Sequence, residues 1–308
     1  MSYNGTSAFY ATRFFIMSAL PQLPLPMPES MQSLLRQGLP EFRRIEWVGR
    51  TTSTNADLLE QARHGTGVLA RPWLLGAHLQ ERGRGRSGRS WQNRSGANLM
   101  FSCAFDVFLP PASLATLSPF AGVVATETLR HALTSSNRPE LTMKWPNDIQ
   151  WRFAKLAGIL VEVTRAGTAR LSPDHHVAII GIGINLDDAR ALSSSLDRRI
   201  ADWSEVGRAD SAAARLRPEQ MVIRIARAWY EGLTDISMKG FAGLPARHAA
   251  VDGLVGQKVD IVDNGRILLS GNAAGVNDAG QLLVRDAAGE HAISVGEVSV
   301  RMPWTATA

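Results

Sequence analysis

The segments KLAGILVEV at residues 155–163 and HHVAIIGIGINL at residues 175–186 decide the fold class of this chain. Both are rich in Val, Ile and Leu, and with LTMKWPNDI at residues 141–149 they predict three strands. Long helices with an apolar face are predicted over residues 114–133 and 217–236. Strands and helices alternate irregularly, without repeated strand–helix–strand units. This favours an α+β domain, a mixed β-sheet flanked by helices, over a doubly wound one.

The two ends of the chain differ from the middle. Residues 1–40 contain repeated Pro and no sustained helical or strand period, which predicts a poorly ordered N-terminal extension. Residues 41–250 have the globular pattern of a main domain. From residue 251 onward, short apolar runs alternate with DNG and NDAG turns, so residues 251–308 are predicted to form a small all-β barrel.

The first residues admit two interpretations. Arg13 precedes the apolar run FFIMSAL, which loosely resembles an export signal or an organelle presequence, but this run is short and leads directly into Pro. Translation that begins at Met17 or Met27 would explain the same prefix at least as well.

Composition limits the classes of function. With 308 residues and 45% hydrophobic content, the chain is long enough for one large core and a second small one. It has no apolar run near the ~20 residues that a membrane-spanning helix needs, so no membrane association is expected. Cys103 is the only cysteine, which excludes an internal disulfide and predicts a reducing compartment, the cytoplasm. The net charge of +5 suggests an acidic partner or a phosphorylated ligand.

The stretch QERGRGRSGRSW at residues 80–91 combines arginines with glycines. Its glycines satisfy G-x-G-x-x-G, but the dinucleotide fingerprint requires a helix to begin there, and the following residues have no helical period. Arginines on a flexible backbone are suited to bidentate capture of phosphate or carboxylate. Nucleic-acid binding is the weaker alternative, because no second basic and aromatic stripe accompanies the loop. The glycines are Gly83, Gly85 and Gly88, and the arginines are Arg82, Arg84, Arg86 and Arg89.

Five short motifs occur in a specific order: STN at residues 53–55, GRGRSGRSW at 83–91, KWPNDI at 144–149, KLAGILVE at 155–162 and GIGIN at 181–185. In order and approximate spacing this set resembles the biotin protein ligases, also called biotin–acetyl-CoA-carboxylase ligases. The resemblance extends over about residues 45–305. It implies a class II aminoacyl-tRNA-synthetase-like fold of the biotin and lipoate ligase type, with a small C-terminal all-β barrel.

The resemblance implies a reaction in two steps within one site. Biotin and ATP first give biotinyl-5′-AMP and pyrophosphate, and a lysine of a carrier protein then takes the biotinyl group as an amide. ATP and Mg²⁺ are therefore the expected cosubstrate and metal. Fixed positive charge and metal must offset the repulsion between the carboxylate of biotin and the α-phosphate.

The family's functional positions transfer onto this chain motif by motif. Lys155 is expected to contact the carboxylate of biotin, and Arg86 to hold the adenylate phosphate. Asp148 is the best carboxylate for Mg²⁺ or for accepting the proton of the incoming lysine, and the sequence leaves both roles open. These three residues form the expected catalytic set. The expected biotin contacts are Ser53, Thr54, Asn55, Gln80, Gly83, Arg84, Gly85, Arg86, Lys155, Gly158 and Leu160, and the expected ATP contacts are Arg84, Arg86, Trp91, Asn147, Asp148, Lys155 and Asn185.

The expected partners are biotin and the biotin carboxyl carrier domain of acetyl-CoA carboxylase or a related carboxylase. DNA binding is not expected, because about forty Pro-rich residues are too few for the winged helix that many relatives carry. A homodimer through strand edges fits the family, but no segment proves it. Two alternatives remain: a lipoate or octanoate ligase or transferase of the same fold, and a binding module without catalysis. For Trp91, anchoring of the loop is favoured over packing on adenine.

Overall fold

The computed structural model describes residues 24–64, 71–165, 171–196, 198–295 and 299–301. These residues form two β-sheets, one of seven strands and one of five, with helices packed against the larger sheet. The expected class is confirmed: a mixed β-sheet flanked by helices, with a smaller all-β unit at the C-terminal end. None of the helices within these ranges is long and apolar enough to cross a membrane.

The larger sheet is antiparallel except at one edge. Its strands are β1 Arg44–Val48, β2 Trp73–Ala77, β3 Asn98–Phe108, β4 Leu141–Lys144, β5 Asp148–Trp151, β6 Ala154–Arg165 and β7 His175–Asn185. They are arranged in the order β1-β2-β3-β7-β6-β5-β4, and only β1 and β2 run parallel. The long strands β3, β7 and β6 form the middle of the sheet, which is where the apolar segments of the sequence predict buried strands.

Helices cover both faces of this sheet. The α-helices are α1 Pro28–Gly38, α2 Thr54–His64, α3 Leu117–Arg130, α4 Ala189–Leu196, α5 Trp203–Ala209, α6 Pro218–Lys239 and α7 Leu244–Val251, with 3₁₀ turns at Arg86–Gly88, Pro111–Thr116, Arg138–Glu140 and Ala213–Arg215. On one face, α3 and α6 pack against Ile180, Ile182 and Ile184 in the main core. On the other face, Leu58 of α2 packs against Ile179. The alternation of these isoleucines along β7 is the two-residue period of a strand buried on both faces.

The prediction of a poorly ordered extension over residues 1–40 is wrong at its C-terminal end. Residues 1–23 lie outside the described part, but α1 follows, and its Met31 and Leu35 are fully buried in the main core together with Leu39. The i, i+4 spacing of these three residues is a helical period. Pro28 begins the helix, where its missing N–H costs no hydrogen bond, so the Pro-rich composition conceals a helix start.

Trp145 is a central contact between the smaller sheet and the larger one, and Thr116 Oγ1 adds a hydrogen bond to Ala279 O at 2.8 Å. The strands of the smaller sheet, all antiparallel, are β8 Lys258–Asp263, β9 Arg266–Val276, β10 Leu282–Asp286, β11 Gly289–Ile293 and β12 Ser299–Arg301, in the order β11-β10-β9-β8-β12. Trp145, in the turn between β4 and β5, lies in the apolar core of this sheet, and its Nε1 donates to Gly280 O at 2.9 Å. The residues on either side of Trp145 are thereby held at the junction of the two sheets.

Candidate active site

Strand register places three glycines on one face of the larger sheet. Gly158 of β6 lies opposite Gly183 of β7, and Gly181 is two residues away on the same face. Successive strand residues point to opposite faces, so the isoleucines of the GIGIN motif enter the main core and its glycines face away from it. A Cβ atom at Gly183 would lie 2.5 Å from the ring of Trp91, and one at Gly181 would collide with Asn55 Oδ1. We call these three residues the glycine floor.

Above the glycine floor lies a cavity of about 540 Å³. Its walls are the N-terminal end of α2, the arginine loop (residues 80–91), the turn between β4 and β5, the segment that links α4 to α5, and β12 of the smaller sheet. Gly83 does not line the cavity, contrary to expectation; it closes the base of the loop, where its carbonyl accepts a hydrogen bond from Trp91 N at 2.8 Å. All the other expected site residues line this cavity: Ser53, Thr54, Asn55, Gln80, Arg84, Gly85, Arg86, Trp91, Asn147, Asp148, Lys155, Gly158, Leu160 and Asn185.

The arginine loop is a narrow hairpin. Arg84 and Ser90 form an antiparallel bridge across it. The chain reverses through Ser87 and Gly88, whose φ angles are 54° and 69°. The glycine provides the left-handed conformation at little cost. The helical structure of the loop is the three-residue 3₁₀ turn at its tip, Arg86–Gly88, and not the α-helix of a dinucleotide-binding fingerprint.

The side chains of Arg86 and Trp91 extend from the arginine loop into the cavity. The Arg86 guanidinium donates to Asn147 Oδ1 at 3.4 Å. Burial lowers the pKa of Arg86, and the nearby Asp148 carboxylate raises it. The Trp91 ring packs on the backbone of the glycine floor, and its buried Nε1 has no acceptor among the described residues. This position supports the interpretation that Trp91 anchors the loop.

The N-terminal end of α2 faces the cavity with a chain of hydrogen bonds. Thr54 N donates to Gln80 Oε1 at 2.8 Å, and Thr54 Oγ1 lies 2.7 Å from Ser102 Oγ. Ser102 Oγ donates to Asn55 Oδ1 at 2.6 Å, while Asn55 Nδ2 donates to a carboxylate oxygen of Glu162 at 3.0 Å. Both ends of the Asn55 carboxamide are therefore bonded to protein. Asn55 orients its neighbours and has little left for a ligand.

Lys155 and Asp148 form an ion pair at one end of the cavity. Lys155 Nζ lies 2.7 Å from Asp148 Oδ1 and 5.6 Å from the centroid of the Trp91 ring. Asp148 is the one carboxylate among the described residues that line the cavity. In the described ranges, no group of three His, Cys, Asp or Glu side chains is placed to hold a metal ion. A divalent ion would therefore need oxygen ligands from a substrate as well as Asp148.

Several cations converge on this end of the cavity. Burial lowers the pKa of Lys144, the charge of Asp148 raises it, and the charges of Lys155, Arg198 and Arg301 lower it further. The lysines come from β4 and β6, Arg198 from the segment before α5, and Arg301 from β12. Crowded cations with one carboxylate among them form a strong site for an anion.

Two expected nucleotide contacts brace the walls of the cavity. Asn185 Nδ2 donates to Ala201 O at 3.1 Å, and Asn185 Oδ1 accepts from Asn98 Nδ2 at 3.1 Å. Asn147 Nδ2 donates to Ile159 O at 2.6 Å, while its Oδ1 accepts from Arg86. These amides hold the segments before α5 and after β4 against the sheet. They fix the walls against which a nucleotide would bind.

Sequence reasoning did not place several residues in the site. Lys144 had a signal, because it begins the KWPND motif. Gly181 and Gly183 had one too, since the alternation of Gly and Ile in GIGIN marks a strand face without side chains. Arg198 and Arg301 had no local signal. Their sequence neighbours carry no motif. The segment of Arg198 is brought to the cavity by its pairing with β6 at Lys155 and Ile200, and Arg301 is brought there by the packing of the smaller sheet.

Two family models match the chain. The model of the biotin/lipoate A/B protein ligase family matches residues 47–185, and the model of the biotin protein ligase C-terminal domain matches residues 254–301. The first range contains the glycine floor and the arginine loop. The second contains the five strands of the smaller sheet.

Known proteins agree with these matches. The biotin–[acetyl-CoA-carboxylase] ligase of Paracoccus denitrificans is 30% identical over 256 residues, which cover 82% of this chain and 98% of that protein. The bifunctional ligase/repressor BirA of Escherichia coli strain K12 is 30% identical over 249 residues, 81% of this chain and 71% of that protein. The fold is similar to that of the Aquifex aeolicus biotin protein ligase in complex with biotin and ATP, with a TM-score of 0.64 and 23% identity over 85% of this chain and 100% of that chain. The resemblance is thus confirmed, and the chain belongs to the biotin protein ligase family of enzymes.

Proposed function

We propose that this chain activates biotin with ATP as biotinyl-5′-AMP and transfers it to one lysine of a biotin carboxyl carrier protein. The observation that carries the proposal is the convergence of Arg86, Lys144 and Lys155 at one end of a cavity whose floor is glycine backbone. Because the glycines let Trp91 and Asn55 pack directly on the sheet, the cavity of about 540 Å³ stays open for a compact ring system and its alkyl chain, while the cations suit a carboxylate and phosphates. The names of the relatives, which include biotin–[acetyl-CoA-carboxylase] ligases, support the same chemistry.

In the first step a carboxylate oxygen of biotin attacks the α-phosphorus of ATP. The bond from that phosphorus to the bridging oxygen breaks, and pyrophosphate leaves with the electron pair. Two anions must meet, so the chain has to supply fixed positive charge. Lys155 is proposed to leave Asp148 for the carboxylate of biotin, and Arg86 to hold the α-phosphate, because both already point into the cavity.

In the second step the amine of the carrier lysine attacks the acyl carbon of the anhydride. The bond from that carbon to the phosphate oxygen breaks, AMP leaves, and the amine loses a proton. Asp148 is proposed to accept this proton, because it is the one carboxylate among the described lining residues. The cationic end of the cavity would retain the anionic adenylate between the two steps.

Magnesium is proposed to enter with the phosphates of ATP, whose charge it would offset. Asp148 is the residue that would hold it, since Mg²⁺ in nucleotide sites is bound by one or two carboxylates and the phosphates together. The two roles of Asp148 are separable with Asp148→Asn. A defect in pyrophosphate release that depends on the magnesium concentration would indicate the metal role. A defect confined to transfer onto the carrier would indicate the proton role.

The partners remain proposals. The carrier is proposed to be that of acetyl-CoA carboxylase or a related enzyme, on the strength of the relatives' names. A cytoplasmic setting is proposed because the one cysteine, Cys103, is buried and free. That the chain does not bind DNA and that it forms a homodimer stay predictions, to be checked by titration with duplex DNA at moderate salt and by sedimentation.

The proposed function is tested by weighing the carrier. The purified protein is incubated with ATP, Mg²⁺ and a biotin carboxyl carrier domain, with biotin and lipoate in parallel, and the carrier is measured by intact mass spectrometry. We expect a biotin-sized gain on one lysine and no gain with lipoate. A gain with lipoate alone would point to a lipoate ligase, and no gain from a folded protein would point to a binding module.

A matched pair of lysine variants shows whether the cavity is the site. Lys155→Gln removes a lysine that lies 2.7 Å from Asp148 inside the cavity. Lys239→Gln removes one that lies 2.6 Å from Asp235 on the surface of α6. The first should reduce pyrophosphate release by about 10²- to 10³-fold, the usual effect of removing one preorganised donor, and the second should leave it unchanged. Equal activity of the two variants would contradict the assignment.

A further inference from the structure

We propose that Glu162 is a positioning residue of this enzyme, which anchors the arginine loop through Arg84 and orients Asn55 in the same contact. The inference rests on the proposed function for its effect on catalysis. The anchoring itself depends only on the geometry of Glu162 and its two partners.

Glu162 occupies an unusual place in β6. It follows Gly158 and Leu160 at two-residue steps, so it lies on the face of the glycine floor, opposite Ile179 of β7. Strand β5 pairs with β6 only as far as Gly158, so β5 does not lie beside Glu162. A loop can therefore reach over β6 there. The Glu162 side chain is nevertheless only 18% exposed, and a carboxylate so buried must be paired.

The two oxygens of Glu162 serve two different segments. Oε1 accepts from the Arg84 guanidinium at 2.9 Å, and Oε2 accepts from Asn55 Nδ2 at 3.0 Å. The bond from Ser102 Oγ to Asn55 Oδ1 fits the amide orientation that turns Nδ2 toward Glu162. Glu162 thus joins Ser102 Oγ and Leu160 O, to which Asn55 Nδ2 also donates at 3.3 Å, in fixing the amide orientation of Asn55, and the same carboxylate holds Arg84.

At its base the arginine loop has the ion pair of Glu81 with Arg50, and farther out it is held by contacts of Arg84, Arg86 and Trp91. Arg84 is bonded to Glu162, Arg86 to Asn147, and Trp91 packs on the glycine floor. The contact of Arg84 is the one ion pair among these three, and it pulls the loop toward β6. Loss of this contact would free the N-terminal arm of the hairpin, so Arg86 would be presented to a ligand in only a fraction of the molecules.

The variant Glu162→Gln separates the positioning role of the Glu162 charge from the packing of its side chain. Glu162→Gln keeps the size of the side chain and an oxygen acceptor for Asn55, but it removes the charge that holds Arg84. The matched control is Glu127→Gln on α3, where Glu127 pairs with Arg247 at 2.6 Å and is 28% exposed. Arg84→Gln breaks the Glu162 contact from the exposed side of the loop, which keeps the test decisive if Glu162→Gln folds poorly.

The first measurement is limited proteolysis of the full chain by trypsin without substrates, with cleavage after Arg86 and Arg89 followed by mass spectrometry. We expect Glu162→Gln to raise the initial cleavage rate about threefold to fivefold, the usual range for a partly exposed ion pair, and Glu127→Gln to leave it unchanged. The double variant Glu162→Gln with Arg84→Gln should be cleaved no faster than Arg84→Gln alone. Unchanged cleavage in Glu162→Gln, or additive effects in the double variant, would overturn the proposal.

The second measurement is the split between KM and kcat. A loop that is closed in only a fraction of molecules weakens apparent affinity by that fraction, so the KM for biotin should rise about threefold to fivefold in Glu162→Gln with kcat within twofold. A fall in kcat at constant KM would overturn the positioning role. Because proteolysis needs no substrate, an enzyme without ligase activity would refute the proposed function and still leave the anchoring decided.

Discussion

Alanine at Gly183 should damage catalysis without damaging the fold. Gly183 lies in the middle of β7, and its φ is not in the left-handed region, so an alanine is compatible with the backbone there. The new Cβ would lie 2.5, 2.6 and 2.8 Å from three atoms of the Trp91 ring. Ordinary carbon contacts are about 3.5 to 4.0 Å, so the ring must retreat by about 1 Å.

The displacement of the Trp91 ring determines how much activity Gly183→Ala should lose. This side chain anchors the end of the arginine loop, and the loop presents Arg86 to the cavity. Displacement of a positioned group by about 1 Å costs on the order of 10²-fold in rate, so we expect kcat/KM for biotin to fall about ten- to a hundredfold. Stability should fall only modestly, because the cost of displacing the Trp91 ring, about 1 to 3 kcal/mol for an overpacked contact, is partly offset by the restriction of the unfolded chain, about 0.4 to 1 kcal/mol.

Gly49→Ala is the matched control, because a Cβ atom at Gly49 meets nothing within 4 Å. Both variants and the wild type are compared by carrier labelling at varied biotin concentration and by thermal unfolding. Gly183→Ala should lose activity while remaining folded, with a Tm that is lower by a few degrees at most, and Gly49→Ala should match the wild type in activity. If Gly183→Ala retained kcat/KM within twofold of Gly49→Ala, the contact of Trp91 with the glycine floor would not position Arg86 for catalysis.

Three further predictions concern charge and packing. Arg301→Gln should raise the KM for ATP about threefold to tenfold and leave the KM for biotin unchanged, since Arg301 lies at the cationic end of the cavity; Arg266→Gln, on the same sheet but outside the cavity lining, should change neither. Lys144→Met should weaken ATP binding yet raise Tm at pH 7. A lysine whose folded-state pKa is lowered costs stability below that pKa, and the cost disappears as the pH rises through it toward the ordinary lysine pKa of 10.5, so the gain in Tm should vanish there. Leu35→Ala should cost about 3 kcal/mol in urea unfolding because Leu35 of α1 is fully buried, whereas Gln37→Ala, on the exposed side of the helix, should cost less than about 0.5 kcal/mol; equal effects would contradict the packing of α1.

The glycine floor and the main strands were accessible from sequence because they depend on local alternation. Apolar residues at every second position of β7 predict a buried strand, and the glycines between them show where side chains are excluded. The pattern of short apolar runs and turns after residue 251 likewise predicts an all-β unit. Such patterns can be recognised in the sequence because the burial of each residue depends on the strand or helix to which it belongs.

Other parts of the site were not accessible because they depend on distant contacts. Asn55 and Asn185 line the cavity as expected, and nothing in the sequence indicates that their amides also bond to Glu162 and Asn98, which lie far away in the chain. Arg301 is brought to the cavity by the packing of one sheet on another. Helix α1 was missed for a different reason: repeated Pro around it outweighed the three apolar residues that form its buried face.

The KWPND turn connects the apolar core of the smaller sheet with the cavity on the larger sheet. Trp145 is 1% exposed in the core of the smaller sheet, while Lys144, Asn147 and Asp148 on either side of it line the cavity. A shift of the smaller sheet must therefore move Trp145, and through the backbone it must move Lys144 and Asp148 as well. The smaller sheet also supplies Arg301 to the cavity. The C-terminal unit thus forms one wall of the cavity and supports its cationic end. Changes in the packing of this unit should therefore alter the binding of ATP more than the binding of biotin.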